Sequence, residues 1–241
     1  MSQIIVFTDL DDTLIQTRRK LPDNASFSLG ATDKEGLPLS FMTKSQATML
    51  QVFSQSGAII IPVTGRNTSA LDRVAYAFKH YRVVSHGALV LQKNGEICPL
   101  WLDKVADQFE AWKALMFSCN KEILSLIKDY QLNARSRVIT DHDIDVYVSV
   151  KGEPDALSFI RDRNTHGKHF THHENGHNYA LLPPYASKKK AVEHINQILD
   201  LGVDHLIIGL GDSLSDLEFM TSCQFAMFPQ HSQIKCSLSD V

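Results

Sequence analysis

The sequence predicts an α/β protein with a parallel-sheet core, interrupted by a segment of different character. Three observations carry this. Short apolar runs bounded by polar residues alternate with amphipathic stretches, the pattern of strands buried beneath helices. Several of those runs end abruptly in acids, glycines or hydroxyls, as strands do at a ligand-binding rim. Between about 100 and 183, long helical stretches are instead segregated from alternating strands, as in an α+β domain.

Taken in order, the apolar run at 4–8 reads as a buried strand. A stretch rich in Ser, Gly, Asp and Lys comes next at about 16–42 and reads as a long loop, in which SFSLGATDKEGLPLSF has the makings of a hairpin flap. A helix is predicted near 43–56, closed by Gly57. AIIIPVT, 58–64, is a second strand. SALDRVAYAFKH, 69–80, reads as a helix with Leu71, Val74, Ala75 and Phe78 on one face, and YRVVS as a third strand. In the middle segment, helices are expected at about 103–130 and 154–164, with strand-like runs at 137–150 and 168–182. The second run reads as a hairpin around Glu174-Asn175-Gly176. A helix at 187–200 and strands in DHLIIGLGD and QFAMF complete the chain. The expected organisation is a core of 1–99 with 184–241 and an inserted domain of 100–183, the last core strand and helix being short.

The 241 residues suffice to bury a real core, and the hydrophobic (44%) and charged (21%) fractions are those of an ordinary globular protein. A net charge of −3 gives no electrostatic case for binding nucleic acid or an anionic membrane. No apolar run approaches the ~18 residues that span a bilayer, and no basic-then-apolar leader opens the sequence. Cys98, Cys119, Cys223 and Cys236 are scattered without a C-x-x-C pair, so a reduced, cytoplasmic setting is the expectation.

Ligands of open parallel sheets bind beyond the carboxyl ends of the strands. There the first strand presents Asp9, Asp11 and Asp12, the second Thr64, Gly65 and Arg66, and the late strand Gly211, Asp212, Ser213 and then Asp216. If these strands are neighbours, several carboxylates meet in one crevice. Two carboxylates about 4 Å apart repel by roughly 4 kcal/mol at an effective dielectric of 20, so the group needs protons or a cation. Oxygen ligands suit a hard divalent ion such as Mg²⁺. Taken singly, Asp9 and Asp12 are also explained as loop or helix-capping residues, and Asp212 or Ser213 as a cap at the Gly-Asp-Ser turn, but capping leaves Asp216 unaccounted for.

In the helix SKKKAVEHINQILD, stepping back from Ala191 and Val192 along the apolar stripe places Lys188 on the buried face. Lys190 aligns with Glu193 and His194 on the expected solvent face, with Lys189 on the flank. An inward lysine, a Thr hydroxyl, amides near Gly65 and a metal together describe a phosphate site, in which one carboxylate attacks phosphorus and another moves protons.

These motifs resemble, in order and spacing, those of the haloacid dehalogenase superfamily of phosphohydrolases: Asp9-Leu10-Asp11-Asp12-Thr13-Leu14, Thr64-Gly65-Arg66, Ser187-Lys188, and Gly211-Asp212-Ser213-Leu214-Ser215-Asp216. The resemblance implies a Rossmann-like core with an α+β cap inserted between the second and third motifs, as in phosphatases of sugar phosphates. It implies Asp9 as nucleophile, Asp11 as acid and base, and Mg²⁺ held by Asp9, the Asp11 carbonyl and Asp212, with Asp216 in support. Thr64, Lys188 and the amides near Leu10 and Gly65 would hold the phosphoryl oxygens. Asp12 stands where that family often has Gly, Ser215 where Asn is common, and His86-Gly87 where Asn-Gly is common.

The resulting expectation is a Mg²⁺-dependent phosphatase acting on a small phosphomonoester, a sugar phosphate, with no nucleic-acid or membrane partner. The alternative on the same core is a phosphomutase of the phosphomannomutase type. A receiver-like signalling module shares the paired acids, Thr and Lys but is about half this length. Arg66 either faces the crevice as a substrate ligand or pairs with the acids. His166, His169, His172, His173 and His177 form either a transition-metal site or a polar hairpin, and strand alternation places His172 opposite His169 and His173. Trp101 and Trp112 are expected to pack within the inserted domain.

Overall fold

The computed structural model describes residues 3–239. The first segment contains β1 (Ile4–Thr8), β2 (Gln16–Thr17), β3 (Phe27–Thr32), β4 (Pro38–Thr43), α1 (Lys44–Gln55), β5 (Ile59–Pro62), α2 (Thr68–Leu71), β6 (Arg82–Val84) and β7 (Leu89–Leu91). The middle contains α3 (Pro99–Asp129), β8 (Ala134–Asp141), β9 (Ile144–Gly152), α4 (Pro154–Arg163), β10 (Thr171–Asn175) and β11 (Asn178–Leu182). The last contains α5 (Lys188–Ile198), β12 (Leu206–Leu210), α6 (Leu214–Met220), β13 (Phe225–Met227) and α7 (Gln233–Ser239). The chain divides into two compact units, Met1–Cys98 with Lys188–Val241, and Pro99–Ser187.

The first unit is built on a parallel sheet in the order β13-β12-β1-β5. β1 lies inside it, and Ile5, Val6 and Phe7 have no exposed surface, as a strand covered on both faces requires. The register of these strands sets where the chain leaves the sheet. Thr8 lies opposite both Leu210 and Pro62, so three neighbouring strands end at one level, through Asp9, Gly211 and Val63. Val63 in turn bridges Val83 in parallel, which brings the β6–β7 hairpin beside the end of β5.

Two parts of this unit differ from the sequence expectation. The 16–42 stretch is not a long loop: the hairpin expected within it is present as β3 and β4, and β2 joins them in an antiparallel sheet, β2-β4-β3. Phe27, Leu29, Leu37 and Leu39 are exposed, so the alternating apolar residues of this sheet do not mark a buried face. The helix expected over 69–80 ends after Leu71. Its continuation pairs with β3 instead: Ala75 N–H donates to Gly30 O (2.8 Å), Thr32 N–H donates to Arg73 O (3.1 Å), and Ala31 bridges Val74. Before α1, Thr43 and Gln46 form a reciprocal capping box, and Gly57 succeeds the helix at φ +76°, both as helix-end chemistry dictates.

The second unit is an antiparallel sheet, β10-β11-β9-β8, with α3 and α4 packed on it. Its core joins Met116, Cys119 and Ile123 of α3 to Leu157 and Ile160 of α4, and to Val148, Val150, Tyr179 and Leu181 of the sheet. Trp112 packs edge-on against Phe170, with ring centroids 5.3 Å apart, and Trp101 is buried. The run expected over 137–150 is two strands, β8 and β9, joined through His142 and Asp143 at φ 48° and 62°. That turn needs positive φ at both residues yet lacks the glycine that usually marks it. Among the described residues, no helix is long and apolar enough to cross a membrane.

Candidate active site

Asp9 continues the ladder beyond β1, its N–H donating to Leu210 O at 2.8 Å. This aims its carboxylate along the rim toward the turn after β12. The carboxylate oxygens of Asp9, Asp212 and Asp216 come within 4.8 Å of one another, and all three residues are buried. Lys188, at the start of α5, lies between two of them: its Nζ donates to Asp9 Oδ1 and to Asp216 Oδ1, each at 2.7 Å.

The turn before α6 is shaped to hold Asp216. Its Oδ2 accepts from the Ser213 hydroxyl (2.6 Å), Ser213 N–H (3.0 Å) and Asp212 N–H (3.3 Å). A Cβ at Gly211 would collide with the Asp216 Cβ, so only glycine admits this approach. Asp212 has a different partner, the Thr13 hydroxyl, which donates to its Oδ1 at 3.2 Å.

Three buried carboxylates face a single ammonium. Burial, reinforced by Asp216 and Asp212 and opposed by Lys188, lifts the Asp9 carboxyl well above the usual carboxylate range. Burial, then the charges of Asp216 and Asp12, pushes Asp212 up to about 7. Burial opposes the charge on Asp216 too, but Lys188 and the Ser213 hydrogen bonds outweigh it and hold Asp216 low. Burial likewise works against the Lys188 ammonium, and Asp216 and Asp9 overcome it. Lys188 thus satisfies Asp216 and leaves Asp9 and Asp212 short of positive charge. Hard oxygen donors with that deficit fit a hard divalent cation.

Asp11 points elsewhere. Arg66 grips it with a fork, Nε to Oδ2 and Nη2 to Oδ1, both at 2.7 Å. Of the two readings of Arg66, pairing with an acid is the one the structure contains. The Asp11 carboxylate stands outside the buried acidic cluster; its expected role as a metal ligand concerned the backbone carbonyl. Asp12 adopts φ 65°, a left-handed conformation that favours glycine and that Asp tolerates, and its carboxylate accepts from Lys20 Nζ at 2.6 Å. The Thr64 hydroxyl is buried and accepts from Arg66 N–H at 3.1 Å. The Leu10 side chain is wholly buried while its carbonyl accepts from Leu14 N–H (2.8 Å) and Ile15 N–H (3.0 Å), closing the loop after β1.

No family model and no curated protein matches the sequence. Solved structures do match its fold. A sucrose-phosphatase from Synechocystis sp. PCC6803, in complex with sucrose and phosphate, superposes over 100% of this chain and 88% of its own, at TM-score 0.58 and 14% identity. A haloacid dehalogenase-like hydrolase from Bacteroides thetaiotaomicron superposes over 100% of both chains, at TM-score 0.54 and 10% identity. This is the haloacid dehalogenase fold. The C-terminal domain of a C. albicans trehalose-6-phosphate phosphatase shares it too, over 92% of this chain and 74% of its own, at TM-score 0.59 and 16% identity.

On this haloacid dehalogenase fold, sequence reasoning left several neighbours of the acids unassigned. Thr13 lay within the first motif and holds Asp212; Ser213, one of the expected caps, is the N-cap of α6 and forms a capping box with Asp216, so capping accounts for Asp216 as well. Lys20 gave no signal, because its contact to Asp12 depends on how β2 and β4 pair. His194, expected on the solvent face, is buried 3.9 Å from Cys98 Sγ. The histidines of the inserted segment hold other partners: His166 Nδ1 lies 2.8 Å from Glu122 Oε2, and His172 Nε2 lies 2.9 Å from Gly167 O. Among the described residues they form no metal-ligand group.

Proposed function

We propose that this chain is a Mg²⁺-dependent phosphatase that hydrolyses a small phosphomonoester, a sugar phosphate, through an aspartyl-phosphate on Asp9. The observation that carries the reading is Lys188 bridging Asp9 and Asp216 beside a third buried carboxylate, Asp212. The sucrose- and trehalose-phosphate phosphatases of the same fold support the substrate class.

Asp9 Oδ attacks phosphorus as the bond from phosphorus to the leaving oxygen breaks. Asp11 delivers a proton to that oxygen, then takes one from the water that attacks the aspartyl-phosphate, releasing inorganic phosphate and restoring Asp9. Asp11 carries that proton only when Arg66 yields part of its fork, and an incoming phosphate is a competing partner for the guanidinium. Thr64, the Gly65 amide and Lys188 hold the phosphoryl oxygens, while Thr13 and Ser213 orient Asp212 and Asp216. Asp9, Asp212 and the Asp11 carbonyl, with Asp216 in support, would hold Mg²⁺, which would supply positive charge against the acids and the phosphoryl group. In this reading the Pro99–Ser187 unit is the cap domain.

The test is release of phosphate from a panel of sugar phosphates with Mg²⁺ present. Wild type should turn over and Asp9→Asn should not; equal activity in the two proteins would end the assignment.

A further inference from the structure

We propose that His86 is a positioning residue for this site: its ring fixes Gly65 and Arg66, and through Arg66 the direction of the Asp11 carboxylate. The proposal rests on the phosphatase reading and adds a residue to it.

The backbone is the first observation. Ser85, His86 and Gly87 succeed one another at φ 52°, 57° and 90°. Two consecutive non-glycine residues in the left-handed region are strained, and such strain persists only where the surroundings enforce it. Here the Thr64–Arg66 loop enforces it. Ser85 N–H donates to Arg66 O at 2.7 Å and His86 N–H donates to Thr64 O at 3.0 Å. Ser85 itself is completely buried.

The ring is the second. A Cβ built on Gly65 would stand 2.5 Å from both Cε1 and Nε2 of His86, and 3.1 Å from Nδ1. The imidazole therefore covers the Gly65 Cα. Gly65 does not have a positive φ, so the ring, not the backbone conformation, demands glycine there. The strained turn and the missing side chain are two halves of one contact.

That contact bears on the next residue. Arg66 N–H is tied to the Thr64 hydroxyl and its guanidinium to Asp11, so any shift of Gly65 moves the fork that aims Asp11. Small displacements of a proton donor are costly when the leaving oxygen depends on it.

The experiment compares wild type, His86→Ala, His86→Asn, Gly65→Ala and Gly65→Ala/His86→Ala on 4-nitrophenyl phosphate and phenyl phosphate, with Mg²⁺. The nitrophenolate departs with little help, whereas phenolate benefits from a proton. His86→Ala should lower kcat on phenyl phosphate about tenfold more than on 4-nitrophenyl phosphate, with KM little changed and His86→Asn partly restoring it. Gly65→Ala should lower the melting temperature, and the double variant should recover it. Equal losses on both esters, or no recovery in the double variant, would overturn the proposal. If wild type releases phosphate from neither ester and from none of the sugar phosphates, the phosphatase reading has failed and takes the role of His86 with it; recovery of the melting temperature would then still report the ring on Gly65.

Discussion

Lys188 Nζ stands 2.7 Å from Asp9 Oδ1 and 2.7 Å from Asp216 Oδ1, bridging the carboxylate that ends β1 to the one that opens α6. These residues are 179 and 28 positions away from it along the chain. The lysine therefore reports that β1, α5 and α6 have assembled correctly as well as neutralising their acids. Removing one member of a buried ion pair typically costs about 3–5 kcal/mol, because the remaining charges lose their partner. Lys188→Met should abolish measurable phosphatase activity and lower the melting temperature. The acids left behind can take up protons, so the stability loss should be smaller at pH 5 than at pH 8. A loss independent of pH would show that the lysine does not balance them.

Asp212 gives a sharper pH dependence. Its folded value is pushed up to about 7 by burial, then by Asp216 and Asp12, against about 3.9 for an unfolded Asp. A group whose pKa rises on folding binds more protons folded than unfolded between those values. The stability it contributes is complete below about pH 4 and is lost as pH climbs through about 7, amounting to a few kcal/mol. Burial lifts Asp9 in the same direction. Metal-free protein should therefore melt at a lower temperature at pH 8 than at pH 5. Mg²⁺ should raise the melting temperature more at pH 8, by the equivalent of about 2.7 kcal/mol at a hundred times its Kd. Asp212→Asn should flatten the pH slope and weaken the Mg²⁺ effect together. Differential scanning calorimetry across pH, with EDTA and with Mg²⁺, separates these outcomes.

The elements read correctly from sequence were those whose signal was local. The apolar runs of β1, β5 and β12 each ended in a reactive residue, and helical spacing alone turned Lys188 inward. The polar type of His194 points to solvent, but its position does not: three residues beyond Ala191, it falls on the buried face beside Ile195. The 69–80 helix failed for a long-range reason, since residues 73–75 give their backbone bonds to β3, over forty positions earlier. The turn at His142-Asp143 adopts a conformation that glycine normally signals, and neither residue does so. At the site, the acids were legible and pairing of Arg66 with them was one of two readings, but which partner each acid would meet was not. That Asp11 would meet Arg66, and Asp212 meet Thr13, depends on side-chain directions that the register of the sheet sets.

The Arg66 fork makes a prediction about shape rather than charge. Lysine keeps the charge but cannot make two parallel N–H contacts to one carboxylate. Arg66→Lys should therefore lower kcat/KM by about one order of magnitude or more, nearly as much as Arg66→Ala. Stability should change little, by about 0.5–1 kcal/mol, because the Asp11 side chain is 49% exposed and solvent screens the pair. Full activity in Arg66→Lys would show that Asp11 needs no directional hold.

Gly211 offers a test of the acidic cluster that leaves every charge in place. It has no room for a side chain: an added Cβ would meet the Cβ of Asp216 and crowd Met220 Sδ at 3.0 Å. Gly57, by contrast, has nothing within 4 Å of where its Cβ would stand. Gly211→Ala must push the start of α6 away from β12 and carry Asp216 off the Lys188 ammonium. Overpacking of this kind costs about 1–3 kcal/mol. The displaced carboxylate should also weaken Mg²⁺ binding, read by isothermal calorimetry. Gly57→Ala is strained by its φ of +76° and should lose stability too, but its Mg²⁺ affinity should be that of wild type. If both variants lose stability and both keep their Mg²⁺ affinity, the Gly211–Asp216 contact serves packing alone and the cation is held without Asp216.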